Sequence, residues 1–418
     1  MVDTALLKCY THDKFRDIVP IEYVLKRALD TLYCMFSFKS GITKEHSIEY
    51  QLYNFLCLKR LYDVIAENNI LESNITTQSL HEFYDKVKQA TKKILSMSLR
   101  MDHTYFPIGD SKTNACERQL SLLFDCAPPT ALTNVALYRG QECFALFEEG
   151  FCFFRGNGAA SHKFKFISRL NKPLEHSSNI DLVFLCGWHS NNHKSNDELS
   201  FILDYKGVNF FDDAGYNEFI AWDEVLKLQD ENHHNTITVK SLAWSDRRNP
   251  DGKNLIYGYF DNNYCYMEGE HFRINGHRVA RKIYIRNDNI FIADYVDPLI
   301  NEISRHRFIL GSGVKVRGTH FADGKHIKVT LLKNNIVMEM HCTGKHLKDM
   351  QIGTINVIAG KDRKFEKRLT LDFFADSPDE QRISFFITFT TAFSSKLQKF
   401  IHACCKSLYT ALCAASKS

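Results

Sequence analysis

The chain has 418 residues, of which 44% are hydrophobic and 24% charged, so it can bury the cores of two or three globular domains. Its 53 basic residues nearly balance its 49 acidic ones, so total charge excludes an argument for nucleic acid as a partner. An anionic ligand would have to be bound by a local cluster of basic residues.

Helical periodicity dominates the first part of the chain. Apolar residues recur every three or four positions in 21–36, 48–67 and 79–99, and a shorter helical pattern covers 117–126. A loop rich in Pro and Gly separates the last two of these segments. The pattern predicts an N-terminal α-helical domain over residues 1–130.

Closely spaced strand patterns follow the helices. Two-residue or three-residue turns lie between apolar, β-branched and aromatic runs at Glu149-Gly150, Lys206-Gly207, 287–289 and Asn334-Asn335. Many hairpins in succession predict antiparallel sheets, and the most economical arrangement is a large β-sandwich over residues 131–390. Because the helices precede the strands, we expect an α+β protein with two separate domains rather than an alternating α/β fold.

The last segment, residues 391–418, returns to a helical pattern with one apolar face. Two interpretations stay open: the helix docks on the body of the protein, or it binds a membrane surface or a partner. The N-terminus has no apolar core of a secretory signal, and no apolar run is long enough to span a bilayer. We therefore expect a cytoplasmic protein, or a periplasmic one if the chain is a piece of something longer.

Three polar clusters lie at the ends of predicted strands. They occupy residues 193–198, 212–216 and 233–235, and each contains His, Asp or both. Loops at strand ends can converge across a sheet and form one site. Imidazole and carboxylate groups are ordinary zinc ligands, although a structural hydrogen-bonding role is the competing interpretation for each histidine.

These clusters resemble a family of polysaccharide lyases. The segments "WHSNNHKSNDELSF", "DYKGVNFFDDAGY" and "HHNTITV", preceded by "GDS" and "EEGFCFFRG", are similar in order and spacing to the heparinase II/III-like and alginate-lyase-type enzymes over about residues 20–350. The resemblance implies a helical α/α toroid followed by a β-sandwich, with an anionic, uronate-containing polysaccharide as partner. It also implies cleavage by β-elimination, in which a base removes the C5 proton and an acid protonates the leaving O4.

The resemblance also implies catalytic residues. His46 matches the histidine of the helical domain, and Glu49 follows three residues later, on what we expect to be the same helical face. Tyr105 matches the tyrosine in front of the Pro-x-Gly loop, with His103 as a close rival. His193 matches the first histidine of the sandwich motif and is expected to border the substrate.

Four further residues are candidate contacts to the substrate. They are Glu45, Arg155, His189 and Tyr216. For Arg155, contact with an acidic sugar competes with the position of a solvated strand end. The basic stretch 273–282 has the same two interpretations, a track for a polyanion or a solvated face.

The family metal would be zinc, and its ligand set is incomplete in this sequence. Asp213 and His234 match two of the three expected ligands, but Ser195 stands where the third histidine is expected. A neutral hydroxyl is a poor zinc ligand. Three neighbours offer alternative donors: Asn196, Asp197 and His233.

Two departures from the family pattern bear on function. One is Ser195, and the other is a helical region shorter than the toroid that the family usually has. The sequence therefore predicts a polysaccharide lyase and leaves open a non-catalytic relative that binds glycan or serves surface-polysaccharide biosynthesis. A structural β protein unrelated to the family is the third interpretation.

Overall fold

The chain forms helices first and then antiparallel sheets. The computed structural model describes residues 2–15, 18, 21–68, 75–109, 111, 117–139, 143–156, 178–187, 194–216, 220–244, 254–261, 264–298, 302–322, 325–359, 364–376 and 381–391. Six α-helices precede the first strand, and a seventh is inserted between strands in this described part of the chain. The expected combination of helices and antiparallel sheets is confirmed.

The helices follow the apolar periodicity of the sequence. Those predicted over 21–36, 48–67, 79–99 and 117–126 are present with ends shifted by a few residues, whereas the first and the sixth were not predicted. The sixth begins with Pro128-Pro129, where proline is tolerated because the first turn needs no N–H donor, and it crosses the expected boundary at residue 130. The helices are α1 (Val2–Tyr10), α2 (Ile21–Met35), α3 (Ile48–Glu67), α4 (Ile75–Ser98), α5 (Glu117–Phe124), α6 (Pro128–Arg139) and α7 (Trp222–Leu228).

The strands form three antiparallel sheets. The five-stranded sheet has the order β1-β2-β3-β4-β5, the eight-stranded sheet β12-β13-β14-β17-β10-β9-β8-β7, and the four-stranded sheet β15-β16-β11-β6. The strands are β1 (Phe144–Phe147), β2 (Phe151–Arg155), β3 (Ile180–Leu185), β4 (Phe201–Tyr205), β5 (Val208–Phe211), β6 (Ile237–Val239), β7 (Leu255–Phe260), β8 (Cys265–Ile274), β9 (His277–Arg286), β10 (Asn289–Val296), β11 (Ile303–Ile309), β12 (Lys315–Ala322), β13 (His326–Lys333), β14 (Ile336–Thr343), β15 (Leu347–Ala359), β16 (Lys364–Asp376) and β17 (Gln381–Thr391).

The predicted hairpin turns are confirmed by their backbone geometry. Lys206 and Gly207 both have positive φ, 51° and 73°, and so do Asn334 and Asn335, 48° and 61°. Two successive residues with positive φ match the right-handed twist of the flanking strands, and Asn and Gly tolerate that conformation best. The sequence therefore placed these hairpins correctly from turn chemistry alone.

The five-stranded sheet lies between the helices and the eight-stranded sheet. One face, including Phe153, Val183 and Ile202, belongs to the core formed by the helices. The opposite face, including Phe154 and Phe184, belongs to the core between the sheets. The central strands are therefore apolar on both faces and pack against the helices on one face and against the other sheets on the opposite face.

Two buried arginines tie the helical part to the sheets. Arg155 at the end of β2 donates from Nε to the Met97 carbonyl at 2.7 Å and lies 3.4 Å from Asp181. Arg100, just after α4, donates to both carboxylate oxygens of Asp204 at 3.0 and 2.9 Å. Arg155 is only 4% exposed, so it is not a solvated strand end.

None of the helices in the described residues is long and apolar enough to cross a membrane. The predicted C-terminal helix over 391–418 begins where β17 ends, at Thr391, and the rest of that segment lies outside the described residues.

Candidate functional site

His46 lies at the junction of the helices and the five-stranded sheet. It precedes α3, whose N-cap is Ser47, and its side chain is 4% exposed. Its ring centroid is 5.5 Å from that of Phe151 in β2. A histidine of the helical part therefore packs directly against the sheet that carries the sandwich motifs.

The position of His46 requires a glycine at residue 187. A Cβ atom added to Gly187 would come within 3.0 Å of His46 Cε1 and of the Glu149 carbonyl oxygen, and would lie 2.8 Å from Gly150 Cα. The β1–β2 turn, the end of β3 and the His46 loop thus meet without room for a side chain. Gly187 is the last described residue before the segment 188–193, so His189 and His193 lie outside the described residues.

Glu149 adds a buried carboxylate to this junction, and sequence reasoning assigned it only to a turn. Its side chain is 4% exposed and accepts a hydrogen bond from the Ser40 hydroxyl. Its second oxygen, Oε2, is buried with no hydrogen-bond partner in the part of the chain that the structure describes. A buried acceptor of this kind is costly unless something else binds it.

Tyr105 belongs to a segment that returns from α4 to the start of α3. It forms a β-bridge with Leu99 and is 5% exposed. Six residues later, the Ser111 hydroxyl accepts a hydrogen bond from the Ile48 amide at 2.7 Å and lies 3.1 Å from the Ser47 hydroxyl. The Tyr105 segment is thereby anchored beside the His46 loop.

His103, the rival candidate, has a different environment. It is exposed at the tip of the turn after α4 and has a φ of 64°. Phe106 follows His103 by three residues. The guanidinium groups of Arg100 and Arg155 lie 5.0 and 5.5 Å from the centroid of its ring. The geometry therefore favours Tyr105 over His103 as the residue held by the surrounding structure.

The two glutamates near His46 differ from expectation. Glu49 lies in the first turn of α3, but His46 precedes the N-cap, so the two residues do not share a helical face. The prediction of a common face is wrong because the polar Ser47 caps the helix and starts it one residue later. Glu45 is half-buried, and its Oε2 accepts a hydrogen bond from Asn54 at 3.0 Å.

A histidine–carboxylate pair lies at the same end of the five-stranded sheet as Gly187, since the end of β3, the start of β4 and the end of β5 lie side by side. His234 Nδ1 donates to Asp213 Oδ2 at 2.9 Å, and both side chains are buried. Burial alone would lower the pKa of His234, but the Asp213 carboxylate raises it. His234 Nε2 is buried with no hydrogen-bond partner among the described residues, so the imidazole is fixed by one nitrogen and presents the other.

Lys194 brings a buried positive charge close to the His234–Asp213 pair. Its ammonium group is 1% exposed, donates to the Asp197 carboxylate and to the Ser195 carbonyl, the latter at 2.7 Å, and lies 3.6 Å from Glu198. Burial raises the pKa of Asp197, whereas for Glu198 the charges of Lys194 and Arg273 outweigh burial and lower it. Sequence reasoning missed Lys194 because a lysine in a polar turn is ordinarily solvated.

Glu198 is held from its other side by Arg273. The guanidinium Nη1 lies 2.8 and 2.9 Å from the two carboxylate oxygens, and Arg273 is 3% exposed. His271, two residues earlier, is fully buried, and burial lowers its pKa to about 3. The basic stretch 273–282 is therefore not a solvated face throughout, since Arg273 and Arg281 point into the core.

Arg281 connects the two motif loops. It is fully buried, donates to Asp294 from Nε at 2.6 Å and from Nη2 at 2.7 Å, and donates from Nη1 to the carbonyls of Leu199 and Asn235. These carbonyls directly follow Glu198 and His234 in the chain. One guanidinium group thus fixes the distance between the loop of Lys194 and the loop of His234.

The donors among the described residues do not fit a three-ligand zinc site. The described residues contain no group of three His, Cys, Asp or Glu side chains arranged to hold a metal ion. Asp213 is hydrogen-bonded to His234, and the charged neighbour of Ser195 is the ammonium of Lys194. We therefore derive no chemical step that passes through a metal.

Two of the three alternative metal donors are engaged in hydrogen bonds or ion pairs. Asn196 donates to Glu231 at 2.9 Å and accepts from Arg273 at 2.9 Å, and Asp197 binds Lys194. Burial lowers the pKa of His233 to about 4. Tyr216, a candidate for substrate contact, is half-buried directly after Gly215.

Comparison with known proteins identifies similar folds but no matching sequence family. No protein-family profile and no curated protein matches the sequence. Among solved structures, a heparinase III gene product has a TM-score of 0.66 at 14% identity, covering 93% of this chain and 59% of that chain. A second heparinase III structure gives 0.67 at 14% identity, with 94% and 61% covered. The heparan sulfate lyase HepC from Pedobacter heparinus gives 0.64 at 14% identity, with 89% and 56% covered.

These likenesses extend over nearly the whole of this chain but over only about three fifths of the solved lyases. At 14% identity they establish architecture and not activity. The chain therefore has a heparinase-like fold of helices and facing antiparallel sheets.

Proposed function

We propose that the protein is a polysaccharide lyase that cleaves an anionic, uronate-containing glycan by β-elimination. The observation that carries the proposal is the junction of His46, Gly187 and Glu149, where a histidine of the helical part meets the sheet of a heparinase-like fold. One of the similar solved structures is a heparan sulfate lyase, which supports an anionic substrate. We further propose that α1–α6 are part of an α/α toroid whose cleft opens at this junction.

The reaction needs three functions at one place. The uronate carboxylate must be neutralised so that the C5 proton becomes acidic, a base must take that proton, and an acid must protonate O4 as the C4–O4 bond breaks. The electron pair of the C5–H bond becomes the C4=C5 double bond of the new terminal sugar. No oxidant or reductant is required.

Residue roles follow from the local environments. Tyr105, buried and anchored through Ser111 to the start of α3, is proposed to exchange protons with the substrate. His46, packed against Gly187 and Phe151, is proposed to face the carboxylate. His193 is proposed as the contribution of the sandwich motif, from its place in the sequence.

A non-catalytic glycan-binding relative is the second candidate. Ser195, which stands at the expected ligand position, favours it. In this candidate the cluster around Lys194 is a structural substitute for a metal site. The choice of glycan, including alginate or a glycosaminoglycan, is left to experiment.

The test is a scan of the purified protein against heparan sulfate, heparin, hyaluronan and alginate, following the ultraviolet absorbance of unsaturated uronide products. We expect a signal with at least one glycan and its loss, by a factor of 100 or more, in Tyr105→Phe. His103→Ala is the matched control, and its rate should stay within a factor of about two. Binding without any absorbance would reject the lyase and favour the second candidate.

A further inference from the structure

The eight-stranded sheet has an outer face that faces away from the core between the sheets. Its inner face carries buried residues such as Ile283, Ile292 and Phe385. The alternate residues of the same strands point to the opposite side, because side chains alternate along a strand. Within the described part of the chain, the apolar core that joins this sheet to the other sheets is built from its inner-face residues.

One row of directly paired residues crosses all eight strands on this face. Five consecutive members of the row are aromatic, and the last three are basic or imidazole side chains. In strand order the row is Tyr259, Tyr266, Tyr284, Phe291, Phe386, His341, Lys328 and His320. We call these eight residues the outer row.

The rings of the outer row form a continuous strip, in which Tyr259 and Tyr284 are half-buried and Tyr266 is only 9% exposed. Ring centroids are 5.8 Å apart for Tyr259 and Tyr266, 4.8 Å for Tyr266 and Tyr284, and 5.9 Å for Tyr284 and Phe291. Tyr257, which is 54% exposed, lies 6.0 Å from Tyr266 and widens this surface. Because neighbouring strands are about 4.8 Å apart, five strands place rings along about 19 Å.

The charges around the row favour an anionic ligand. Arg278, Lys282, Arg286, Lys328 and Arg382 lie on the outer face by strand alternation, against Glu268, Glu270 and Glu339. Arg382 lies over the ring of Tyr295 at 4.7 Å, and Lys328 lies 2.7 Å from Glu339. The face is therefore positive, but only moderately so.

We propose that the outer row is a second binding surface, separate from the His46 junction, for an acidic oligosaccharide. Tyrosine rings offer flat apolar faces for pyranose rings, and the exposed Arg286, two residues after Tyr284 on the same face of β9, receives a carboxylate or sulfate. A nucleic acid is less suitable because duplex DNA carries one charge per about 1.7 Å, far denser than the cations on this face. Cross-strand aromatic pairs also stabilise the sheet, and the test below separates that effect.

The inference rests on the proposed function only for the class of ligand. A second surface of this kind would hold a long polyanion while the His46 junction acts on another part of the same chain. Its affinity should fall with salt, since exposed charges are screened.

The experiment measures binding of hexasaccharides from heparan sulfate, hyaluronan and alginate by titration calorimetry. The Tyr105→Phe background prevents cleavage. We expect Tyr259→Ala/Tyr284→Ala to weaken binding about tenfold, and Tyr259→Phe/Tyr284→Phe to keep it within about threefold because the rings remain. Phe365→Ala removes an aromatic side chain that is 46% exposed on the four-stranded sheet and serves as the matched control with unchanged binding.

Each other result decides against the proposal. Equal affinity in the double alanine variant and its background would show that the rings do not bind the sugar, as would the absence of binding to all three hexasaccharides. Loss of a dimer in the double alanine variant, without effect on sugar binding, would assign the row to a second copy of this chain. Urea unfolding of each variant separates lost binding from lost folding. Failure of the proposed function is a separate result, namely no ultraviolet absorbance from the unmutated protein.

Discussion

Replacing Gly187 by alanine tests whether His46 meets the five-stranded sheet as described. The added Cβ would come within 3.0 Å of His46 Cε1 and of the Glu149 carbonyl oxygen, and within 2.8 Å of Gly150 Cα. Two of these three neighbours are backbone atoms, which cannot rotate away as a flexible side chain can. The substitution must therefore move the β1–β2 turn, the His46 loop or both.

The expected cost follows from overpacking. Forcing one extra carbon into a packed interior costs about 1–3 kcal/mol of unfolding free energy, and contact with backbone atoms favours the upper half of that range. Activity should suffer more than stability, because a displacement of about 1 Å at a catalytic group can reduce the rate about 100-fold. We expect Gly187→Ala to fold, with reduced stability and much reduced cleavage.

Urea unfolding measures the stability, and ultraviolet absorbance of unsaturated products measures the cleavage. Gly318→Ala is the matched control, since nothing lies within 4 Å of a Cβ added there. Its free energy of unfolding should change by less than about 1 kcal/mol, with an unchanged m-value. If Gly187→Ala and Gly318→Ala unfold at the same urea concentration, the close approach of His46 to Gly187 is refuted.

Three further predictions concern the polar cluster of the sheet domain. Lys194→Met should lower the unfolding free energy by about 3–5 kcal/mol, because it leaves the buried Asp197 carboxylate without its cation, and Lys194→Met/Asp197→Asn should recover part of this loss in urea unfolding. Burial lowers the pKa of His271 from 6.5 to about 3, so its contribution to stability is complete above pH 6.5 and is lost as pH falls toward 3. The difference in unfolding midpoint between about pH 7 and about pH 4.5 should therefore be smaller in His271→Gln than in the unmutated protein. An unchanged difference would contradict this origin. A chelator should leave the thermal midpoint unchanged, whereas one equivalent of zinc in the purified protein, measured by elemental analysis, would show that a metal is bound despite the incomplete donor set.

The local elements were largely determined by the sequence. The apolar repeat of 48–67 fixes α3, and Ser47 fixes its start because its hydroxyl accepts from the Tyr50 amide. Asn334-Asn335 and Lys206-Gly207 fix hairpins because Asn and Gly adopt positive φ at low cost. Local propensity and period are enough for such features, since the interactions involved lie within a few residues of the chain.

The site depended on contacts between distant segments. Nothing in the sequence around His46 shows that Gly187 must leave room for its ring, or that Ser111 anchors the segment of Tyr105 beside it. The helix start at Ile48 separated His46 from Glu49, which a pattern of spacing alone had joined. Candidate residues could be found by type and order, but their grouping required the packed structure.

Charge shows the difference most clearly. By composition, Lys194, Arg155, Arg273 and Arg281 are ordinary basic residues of a nearly neutral chain, and for the three arginines a solvated position was one of two interpretations. The fold buries all four, because carboxylates and carbonyls from segments far apart in the chain surround each one. Sequence determined the helices, hairpins and chemical types, since those depend on neighbours in the chain; tertiary structure alone decided which charges are buried and paired, because burial depends on segments that meet only after folding.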